Sequence, residues 1–200
     1  MKRLNPLLIV LFAFTLVACS TRPPEPVAQE EMLPPWLEHR DRMRAVETWT
    51  LQGRVGARQG SEGANFTVYW QQRDEDYNIR LSGPLGQGGA TINGGYGWAE
   101  LRTKDDHFFA ASLEELLSEA IAIDLPLHHL QYWLRGIPSP GARAGIKLNS
   151  DALLERMEQH GWTIEYTEYD PETQLPLRFS MRFEDSRAQI IISTWDISGV

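Results

Sequence analysis

The residue types that most often carry out chemistry are few in this 200-residue chain, and they are not arranged as a catalytic site. The adjacent histidines His128 and His129 cannot share one face of a helix, so their spacing is poor for binding a metal ion. The acidic pairs Asp105-Asp106 and Glu114-Glu115 are typical of solvated charges at a turn and at a helix start. The sequence also contains no P-loop, HExxH or GxSxG motif. We therefore expect no enzyme, no cofactor and no metal ion.

The only cysteine, Cys19, closely follows an apolar segment from Pro6 to Val17, which is preceded by Lys2 and Arg3. A basic start, a short apolar core and small residues at the end predict a secretory signal peptide over residues 1–18. The apolar segment holds about 12 residues, whereas a membrane-spanning helix needs about 20. A lone thiol cannot form an internal disulfide, so an unpaired cysteine in an exported protein requires another explanation.

The tetrapeptide Leu16-Val17-Ala18-Cys19 resembles the bacterial lipoprotein signal. This resemblance implies cleavage before Cys19 and attachment of acyl chains, palmitate among them, to that cysteine. Several acyl chains anchor a protein durably, because each buried methylene contributes about 0.8 kcal/mol. Ser20 stands where an aspartate would imply the inner membrane, so the same resemblance points to the outer membrane. The alternative is an ordinary signal peptide that carries a cysteine near its end.

Composition limits the classes of partner. Cleavage before Cys19 would remove 18 residues and leave 182, which suits one domain with a substantial core. Loss of Lys2 and Arg3 would change the formal net charge from −8 to −10. An acidic chain without clustered basic residues argues against binding to nucleic acid or electrostatic adhesion to anionic lipid. The seven Trp, six Tyr and seven Phe residues either form a core or line a hydrophobic cavity.

The first part of the chain is predicted to be a tether followed by strands. Residues 19–35 contain five prolines and several glutamates, which favour an extended spacer, and residues 36–200 form the predicted folded domain. A helix is predicted from Trp36 to Glu47, after which apolar residues alternate with the period of two of antiparallel strands. Asn93-Gly94-Gly95 predicts a hairpin turn. The predicted strands are Trp49–Ala57, Ala64–Gln72, Tyr77–Leu81, Gly89–Ile92, Trp98–Arg102 and His107–Ala110.

The middle of the chain is predicted to be helical. Ser112 and Glu115 have the spacing of a capping box, and apolar residues follow at helical intervals. A second helix is predicted from Leu127 to Leu134, and the two helices either fill a β-core or form a lid over a cavity. The segment Ala152–His160 fits a helix or a strand, and we favour a strand because the next strand needs a partner. The remaining predicted strands are Trp162–Tyr169, Leu177–Phe183 and Ala188–Trp195.

The glycine-rich segment Ser82–Gly89 places one large apolar residue, Leu85, between Pro84 and Gly86. Proline restricts its own backbone, and the glycines permit a tight loop without neighbouring side chains that would bury a leucine. Leu85 therefore either folds back into the core or protrudes. The segment leads into a strand, so it lacks the helix N-terminus that a phosphate site uses.

The order of several short motifs resembles the LolB family of outer-membrane lipoprotein insertion factors. These motifs are the lipoprotein signal, the proline-rich tether, Pro84-Leu85-Gly86, the segment from Leu125 to Pro138, and Tyr169-Asp170 before Leu175-Pro176. The resemblance covers nearly the whole mature chain, although glycines at 86, 88 and 89 widen the loop relative to a plainer pattern. It implies a mainly β fold with helices (α+β). The expected architecture is a half-open antiparallel β-barrel of about ten or eleven strands with a helical lid over an apolar cavity.

The resemblance also implies a function. The chain would accept acylated lipoproteins from a soluble, LolA-like periplasmic carrier and insert them into the inner leaflet of the outer membrane without an energy source. Leu85, flanked by Pro84 and Gly86, would be the exposed residue needed for insertion. The partners would be the carrier, lipoprotein acyl chains and outer-membrane phospholipid. The chain would be a lipid-anchored monomer that faces the periplasm and uses neither nucleic acid nor a cofactor.

Large apolar residues in the predicted strands and helices are candidates for lining the lipid cavity. They are Trp49, Phe66, Trp70, Leu116, Leu127, Trp133 and Phe179. Burial of acyl chains against such residues is favourable by about 25 cal/mol per Å². An alternative function is that of a structural or assembly lipoprotein that binds another envelope protein and needs no acyl cavity. A periplasmic hydrolase is disfavoured because no nucleophile is paired with a base.

Overall fold

The computed structural model describes residues 34–84, 88–113, 115–116 and 127–197. The predicted signal peptide, Cys19, the tether up to residue 33, Leu85 and Gly86 lie outside the described residues. In chain order the elements are α1 (Pro34–Arg44), β1 (Thr48–Gln59), β2 (Glu62–Arg73), β3 (Asp76–Ser82), β4 (Gly89–Gly95), β5 (Trp98–Arg102), β6 (His107–Ala110), α2 (Leu127–Leu134), β7 (Gly145–Leu148), β8 (Leu154–Gln159), β9 (Trp162–Tyr169), β10 (Pro176–Phe183) and β11 (Ser186–Asp196).

These strands form one antiparallel sheet in the order β6-β5-β4-β3-β2-β1-β11-β10-β9-β8-β7. Neighbours in the sheet are also consecutive in the chain except at the centre, where β1 pairs with β11. Strands β6 and β7 stand at the two ends of the order, so the described sheet is open. This arrangement confirms the predicted half-open antiparallel architecture and its strand number.

One face of the sheet carries the core, because successive side chains of a strand point to opposite faces. We call this the inner face and the other the outer face. Along β9, Trp162, Ile164 and Tyr166 are buried and the residues between them are partly exposed. Direct pairing aligns such residues into rows across the sheet. The central inner row consists of Trp195, Leu51, Trp70, Ile79, Ile92, Leu101 and Phe108.

Helical segments cover the inner face. Three of their side chains have no exposed surface and belong to the same core as the strand residues. They are Trp36 of α1, Trp133 of α2 and Leu116, which lies between β6 and α2. The predicted capping box is confirmed, since the Glu115 backbone N–H donates to the Ser112 hydroxyl at 3.1 Å. The Glu115 carboxylate accepts a hydrogen bond of 3.0 Å from the backbone N–H of Ala111 in return. The helical turn that contains Leu116 is thus held in place by its own first residues.

One prediction about local structure is wrong, and one strand was missed. Asn93-Gly94-Gly95 ends strand β4 instead of forming a turn, and the chain reverses at Tyr96 and Gly97, where Gly97 has a φ of 76°. Gly94 lies in the strand, paired with Tyr77 and Ala99, and it must be a glycine because a Cβ there would overlap the ring of Tyr77. Strand β7 was not predicted, since it has four residues and only one of them, Ile146, is buried, which leaves no recognisable alternation.

Other boundaries differ only slightly. The first helix begins at Pro34, within the predicted tether, and ends at Arg44 instead of Glu47. The ambiguous segment Ala152–His160 contains strand β8, as favoured from the sequence, and it pairs with β9.

Candidate functional site

A cavity of about 480 Å³ lies between α2 and the inner face of β1 to β4. Trp49, Trp70 and Tyr77 line its strand side, while Tyr132 and Arg135 line it from α2 and the residue after it. The Trp49 and Trp70 ring centroids are 5.5 Å apart, and Trp195 lies 5.5 Å from Trp49 on the other side. Contacts of this kind make a rigid aromatic wall on which an apolar chain can pack.

The remainder of the lining is mixed, with Val46 and Leu113 beside several polar residues. Gln72, only 3% exposed, accepts a hydrogen bond of 2.9 Å from the Trp70 indole and donates one of 2.8 Å to the Asp74 carbonyl oxygen. Asp74, Glu75 and Gln131 also line the cavity. The cavity expected to be apolar therefore has an aromatic wall together with polar groups.

Arg135 joins the two helices from inside this cavity, although it is only 5% exposed. Its Nη1 donates to the carbonyl oxygens of Met43 at 2.8 Å and Val46 at 2.6 Å, and its Nε donates to the Gln131 carbonyl oxygen at 3.1 Å. The carbonyl groups at the end of α1 lack partners within their own helix, so Arg135 caps α1. Burial lowers the pKa of Arg135, but an arginine remains charged at neutral pH.

A buried amide fixes the segment that follows α2. Gln159 of β8, 2% exposed, accepts hydrogen bonds from the Trp133 indole at 2.9 Å and from the Ser139 backbone N–H at 3.0 Å. Its amide nitrogen donates to the carbonyl oxygens of Ser139 at 2.8 Å and Ala142 at 3.1 Å. The Tyr166 hydroxyl adds a hydrogen bond of 2.8 Å to the Trp133 carbonyl oxygen. Helix α2 is thereby tied at its C-terminal end to β8 and β9.

Three of the histidine rings lie against one another. The rings of His128 and His129 lie 3.6 Å apart, and those of His129 and His160 are stacked at 3.7 Å. The stacked rings of His129 and His160 face one another with their π-surfaces, so their nitrogens do not point to a common centre. In the part of the chain that the structure describes, no three His, Cys, Asp or Glu side chains are placed to hold a metal ion. Nor do the described helices include one long and apolar enough to cross a bilayer.

The loop between β3 and β4 leaves the sheet at the end opposite to the cavity. Ser82 and Gly89 pair directly, and the Gly83 N–H donates to the Gly88 carbonyl oxygen at 2.9 Å. Pro84 is exposed at this end. The β2–β3 and β4–β5 turns line the cavity at the other end of the sheet. The seven residues of β3 separate the loop from these turns by about 20 Å.

Comparison with known proteins identifies the family. Residues 47–195 match the family described as "Outer membrane lipoprotein LolB". The chain belongs to the LolB family. Proteins named Outer-membrane lipoprotein LolB from Pseudomonas aeruginosa and Pseudomonas fluorescens are 36% and 34% identical to it over 163 residues, which is 80% of this chain and 80% of theirs. The family resemblance drawn from the motif order is therefore confirmed.

Solved structures show how the LolB-family fold relates to others. A LolA superfamily protein from Nitrosomonas europaea has a TM-score of 0.54 at 13% identity, covering 82% of this chain and 93% of that one. A DUF1329 family protein from Desulfovibrio piger has a TM-score of 0.53 at 10% identity, covering 82% and 90%. At such identities the likeness concerns the fold alone.

Within this LolB-family fold, the seven cavity candidates have different positions. Trp49 and Trp70 line the cavity. Leu116, Trp133 and Phe179 are at most 1% exposed and belong to the core without lining it. Phe66 is partly buried against the core, and Leu127 begins α2, with its side chain outside the described part. Contact of these residues with lipid remains a prediction.

Sequence reasoning missed Gln72, Arg135 and Gln159, which organise the site. Gln72 follows Trp70 by two residues, and Gln159 follows Met157 by two residues, so both amides occupy inner-face positions in an apolar row. Both glutamines could have been recognised in the sequence, because each is a polar residue at a strand position where alternation predicts a buried apolar one. A buried polar group must be hydrogen-bonded, so such a residue indicates a specific contact. No comparable local pattern marks Arg135, whose acceptors are about 90 residues away in the chain.

Proposed function

We propose that this chain is an outer-membrane lipoprotein that accepts acylated lipoproteins from a LolA-like periplasmic carrier and inserts them into the membrane. The match to the LolB family over residues 47–195 carries the proposal, because it spans nearly all the described sheet and its relatives are named outer-membrane lipoproteins. Cys19 would bear the lipid anchor, and residues 19–35 would hold the domain in the periplasm. The chain would act as a monomer and without enzymatic turnover.

The geometry supports an acceptor with a cavity that can enlarge. The cavity of about 480 Å³ is smaller than several acyl chains require, and the rest of the inner face is filled by core residues such as Trp133. Lipid would therefore enter by displacing helical segments from the sheet, which exposes the aromatic wall at Trp49 and Trp70. The displaced core contacts would favour reclosure, so the lipid is held loosely enough to be released.

Release would need no nucleotide hydrolysis, because the acyl chains end in a bilayer that buries them more completely than the cavity does. Leu85 would enter the bilayer at the sheet end that carries Pro84. Burial of one leucine contributes only about 1.5–3 kcal/mol, which suits a local perturbation of lipid packing and not an anchor.

A transfer assay tests the proposal. Liposomes bearing the full lipidated chain receive an acylated lipoprotein bound to its soluble carrier, and the lipoprotein is then located on the carrier, on the chain or in the bilayer. We expect the unaltered chain to move it into the bilayer, and Leu85→Glu to accept it but retain it.

Phe109→Glu is the matched control, since Phe109 is an apolar residue 66% exposed on edge strand β6. It should transfer as well as the unaltered chain. If the unaltered chain accepts no acylated lipoprotein, the proposal is wrong and a structural lipoprotein becomes the better description. Loss of acceptance in Leu85→Glu would instead contradict the separate roles of cavity and loop.

A further inference from the structure

Three arginines from three strands stand side by side on the outer face of the sheet. Arg58 of β1 pairs directly with Arg187 of β11, and Arg187 pairs directly with Arg182 of β10. All three side chains are exposed. We call Arg58, Arg187 and Arg182 the arginine stripe. The sequence predicted no basic cluster, because Arg58 is more than 120 residues from the other two and only the pairing of β1 with β11 brings it beside them.

Among the described residues, Arg58 and Arg187 lack the acidic partners that the basic residues of β7 to β10 have. Each basic residue of β7 to β10 forms an ion pair with a glutamate: Lys147 with Glu155 at 2.6 Å, Arg156 with Glu158 at 2.7 Å, Arg178 with Glu168 at 3.2 Å and Arg182 with Glu165 at 3.3 Å. Arg58 and Arg187 form no hydrogen bond or ion pair with the residues that the structure describes. Two of the three guanidinium groups of the stripe thus keep all their donors available.

Like charges at directly paired positions destabilise a sheet, because their side chains leave the backbone only about 5 Å apart. Glu165 offsets the charge of Arg182, but the direct pairing of Arg58 with Arg187 works against stability unless an anion lies between them. Guanidinium groups bind phosphate oxygens through two parallel hydrogen bonds, which makes arginine well suited to phosphate recognition.

The stripe borders a groove of about 820 Å³ on the same face. Ser61, Asn65, Thr163, Ser180 and Gln189 contribute further hydroxyl and amide groups to its lining. The lining also contains one carboxylate, that of Glu165, which forms an ion pair of 3.3 Å with Arg182. Gly56 lies in the groove as well, and a Cβ at this position would come within 2.9 Å of the Asn65 side-chain oxygen, so glycine keeps the groove open. A volume of this size suits the headgroup of a phospholipid.

The groove lies at the sheet end from which the β3–β4 loop emerges. Arg54, Thr67, Ser82 and Gly89 form one row across β1 to β4, and Arg58 lies four residues further along β1 towards the β1–β2 turn. The Gly60 N–H donates to the Asp185 carbonyl oxygen at 3.2 Å and joins that turn to the β10–β11 turn. Pro84 and the stripe therefore belong to the same end of the domain.

We propose that the arginine stripe and its groove bind the phosphate headgroup of an anionic membrane phospholipid. The inference rests on the proposed function, because it is the membrane-facing role of the β3–β4 loop that favours lipid over an acidic protein as the occupant. Binding would hold this end of the sheet against the bilayer, whereas the formal net charge of −10 that remains after cleavage before Cys19 would otherwise repel an anionic surface.

The test measures ligand-induced stabilisation of the full lipidated chain in a neutral detergent. The probes are a short-chain phosphatidylglycerol, inorganic phosphate, a short-chain phosphatidylcholine and poly-glutamate. The variant is Arg58→Gln with Arg187→Gln, and the control is Arg73→Gln, which removes an exposed arginine from the opposite end of β2. We expect phosphatidylglycerol to raise Tm in the unaltered chain and the control, and the double variant to bind it at least about tenfold more weakly.

Without ligand, the double variant should unfold at the same temperature as the unaltered chain or a higher one, because a like-charge contact is removed. A lower Tm would show that the arginines stabilise the sheet themselves and would overturn the inference. If inorganic phosphate raises Tm as much as phosphatidylglycerol does, the groove binds free phosphate. If only poly-glutamate raises Tm, the groove binds an acidic protein. If phosphatidylcholine raises Tm as much as phosphatidylglycerol does, the groove does not recognise charge.

Failure of this inference is distinguishable from failure of the proposed function. In the transfer assay the double variant should accept lipoprotein normally but deliver it more slowly to liposomes that contain phosphatidylglycerol. If it delivers to them at the unaltered rate, the stripe has no part in membrane docking and the acceptor function stands. If the unaltered chain accepts nothing, the acceptor function is wrong whatever the stripe binds.

Discussion

The indole N–H of Trp133 on α2 donates a hydrogen bond of 2.9 Å to the side-chain oxygen of Gln159 on β8, and both residues are buried. The two residues are 26 positions apart in the chain. This bond, with those from Gln159 to the backbone at Ser139 and Ala142, attaches the segment after α2 to the sheet. Opening of the inner face by movement of α2 must therefore either break the bond or pivot about it.

Replacement of Gln159 by leucine should lower the free energy of unfolding by about 3 kcal/mol, because buried donors and acceptors would lose their partners. Urea denaturation of the full chain in neutral detergent measures the change. Gln52→Leu, at an exposed position of β1, is the control and should change stability by less than about 0.5 kcal/mol. A change as small as that in Gln159→Leu would mean that water or another donor replaces the amide.

Arg135→Gln should lower the free energy of unfolding by about 2–4 kcal/mol, since the carbonyl groups of Met43 and Val46 would remain buried without donors. Arg135→Lys should recover part of this loss, because it keeps the charge but not the two-point geometry. Arg143→Gln, at an exposed site, serves as control. Equal stability of the glutamine and lysine variants would argue against capping of α1 by the guanidinium group.

Stability should depend on pH through His39. Burial, followed by the nearby charge of Arg42, lowers the pKa of His39 from 6.5 to about 4 in the folded chain. The unfolded state then binds more protons between these values, so stability rises with pH across this window and is complete above it. On going from about pH 7 to about pH 5, the His39 contribution should fall by about 2 kcal/mol.

The measurement compares the unaltered chain with His39→Gln over this range. The variant should show a shallower pH dependence, by the amount assigned to His39. The lowered pKa values of Glu100 and Asp170 act at more acidic pH, where their stabilising contribution is lost as the pH falls through their folded values. Parallel pH profiles for the two chains would contradict a neutral, buried His39.

Gly94→Ala should destabilise the domain by about 2–4 kcal/mol, because the added methyl group would overlap the ring of Tyr77 and approach the Trp98 carbonyl oxygen. Tyr77 lines the cavity, so its displacement should also weaken binding of an acyl probe. Gly89→Ala on the same strand is the control, as its Cβ would lie 3.4 Å from the Leu81 carbonyl oxygen. Similar stability of both variants would show that Tyr77 can move freely.

The sequence by itself determined the elements whose signals are local. The strand Trp162–Tyr169 and the helix Leu127–Leu134 have the predicted bounds, because alternation and helical spacing extend over eight residues in each. The capping box at Ser112 was predicted for the same reason, since its two partners are three residues apart. Motif order also led to the LolB family, which the comparisons confirm.

Only the tertiary structure decided the features that join distant parts of the chain. The pairing of β1 with β11 sets Arg58 beside Arg187, and the packing of α2 sets Arg135 against the end of α1. Neither contact leaves a periodic signal, because hydrogen bonds and charge contacts between distant residues depend on three-dimensional proximity and not on spacing. Gly94 shows the same limit, since the sequence suggested a turn there, whereas pairing with β3 and β5 makes it part of a strand in which the Tyr77 ring leaves no space for a side chain.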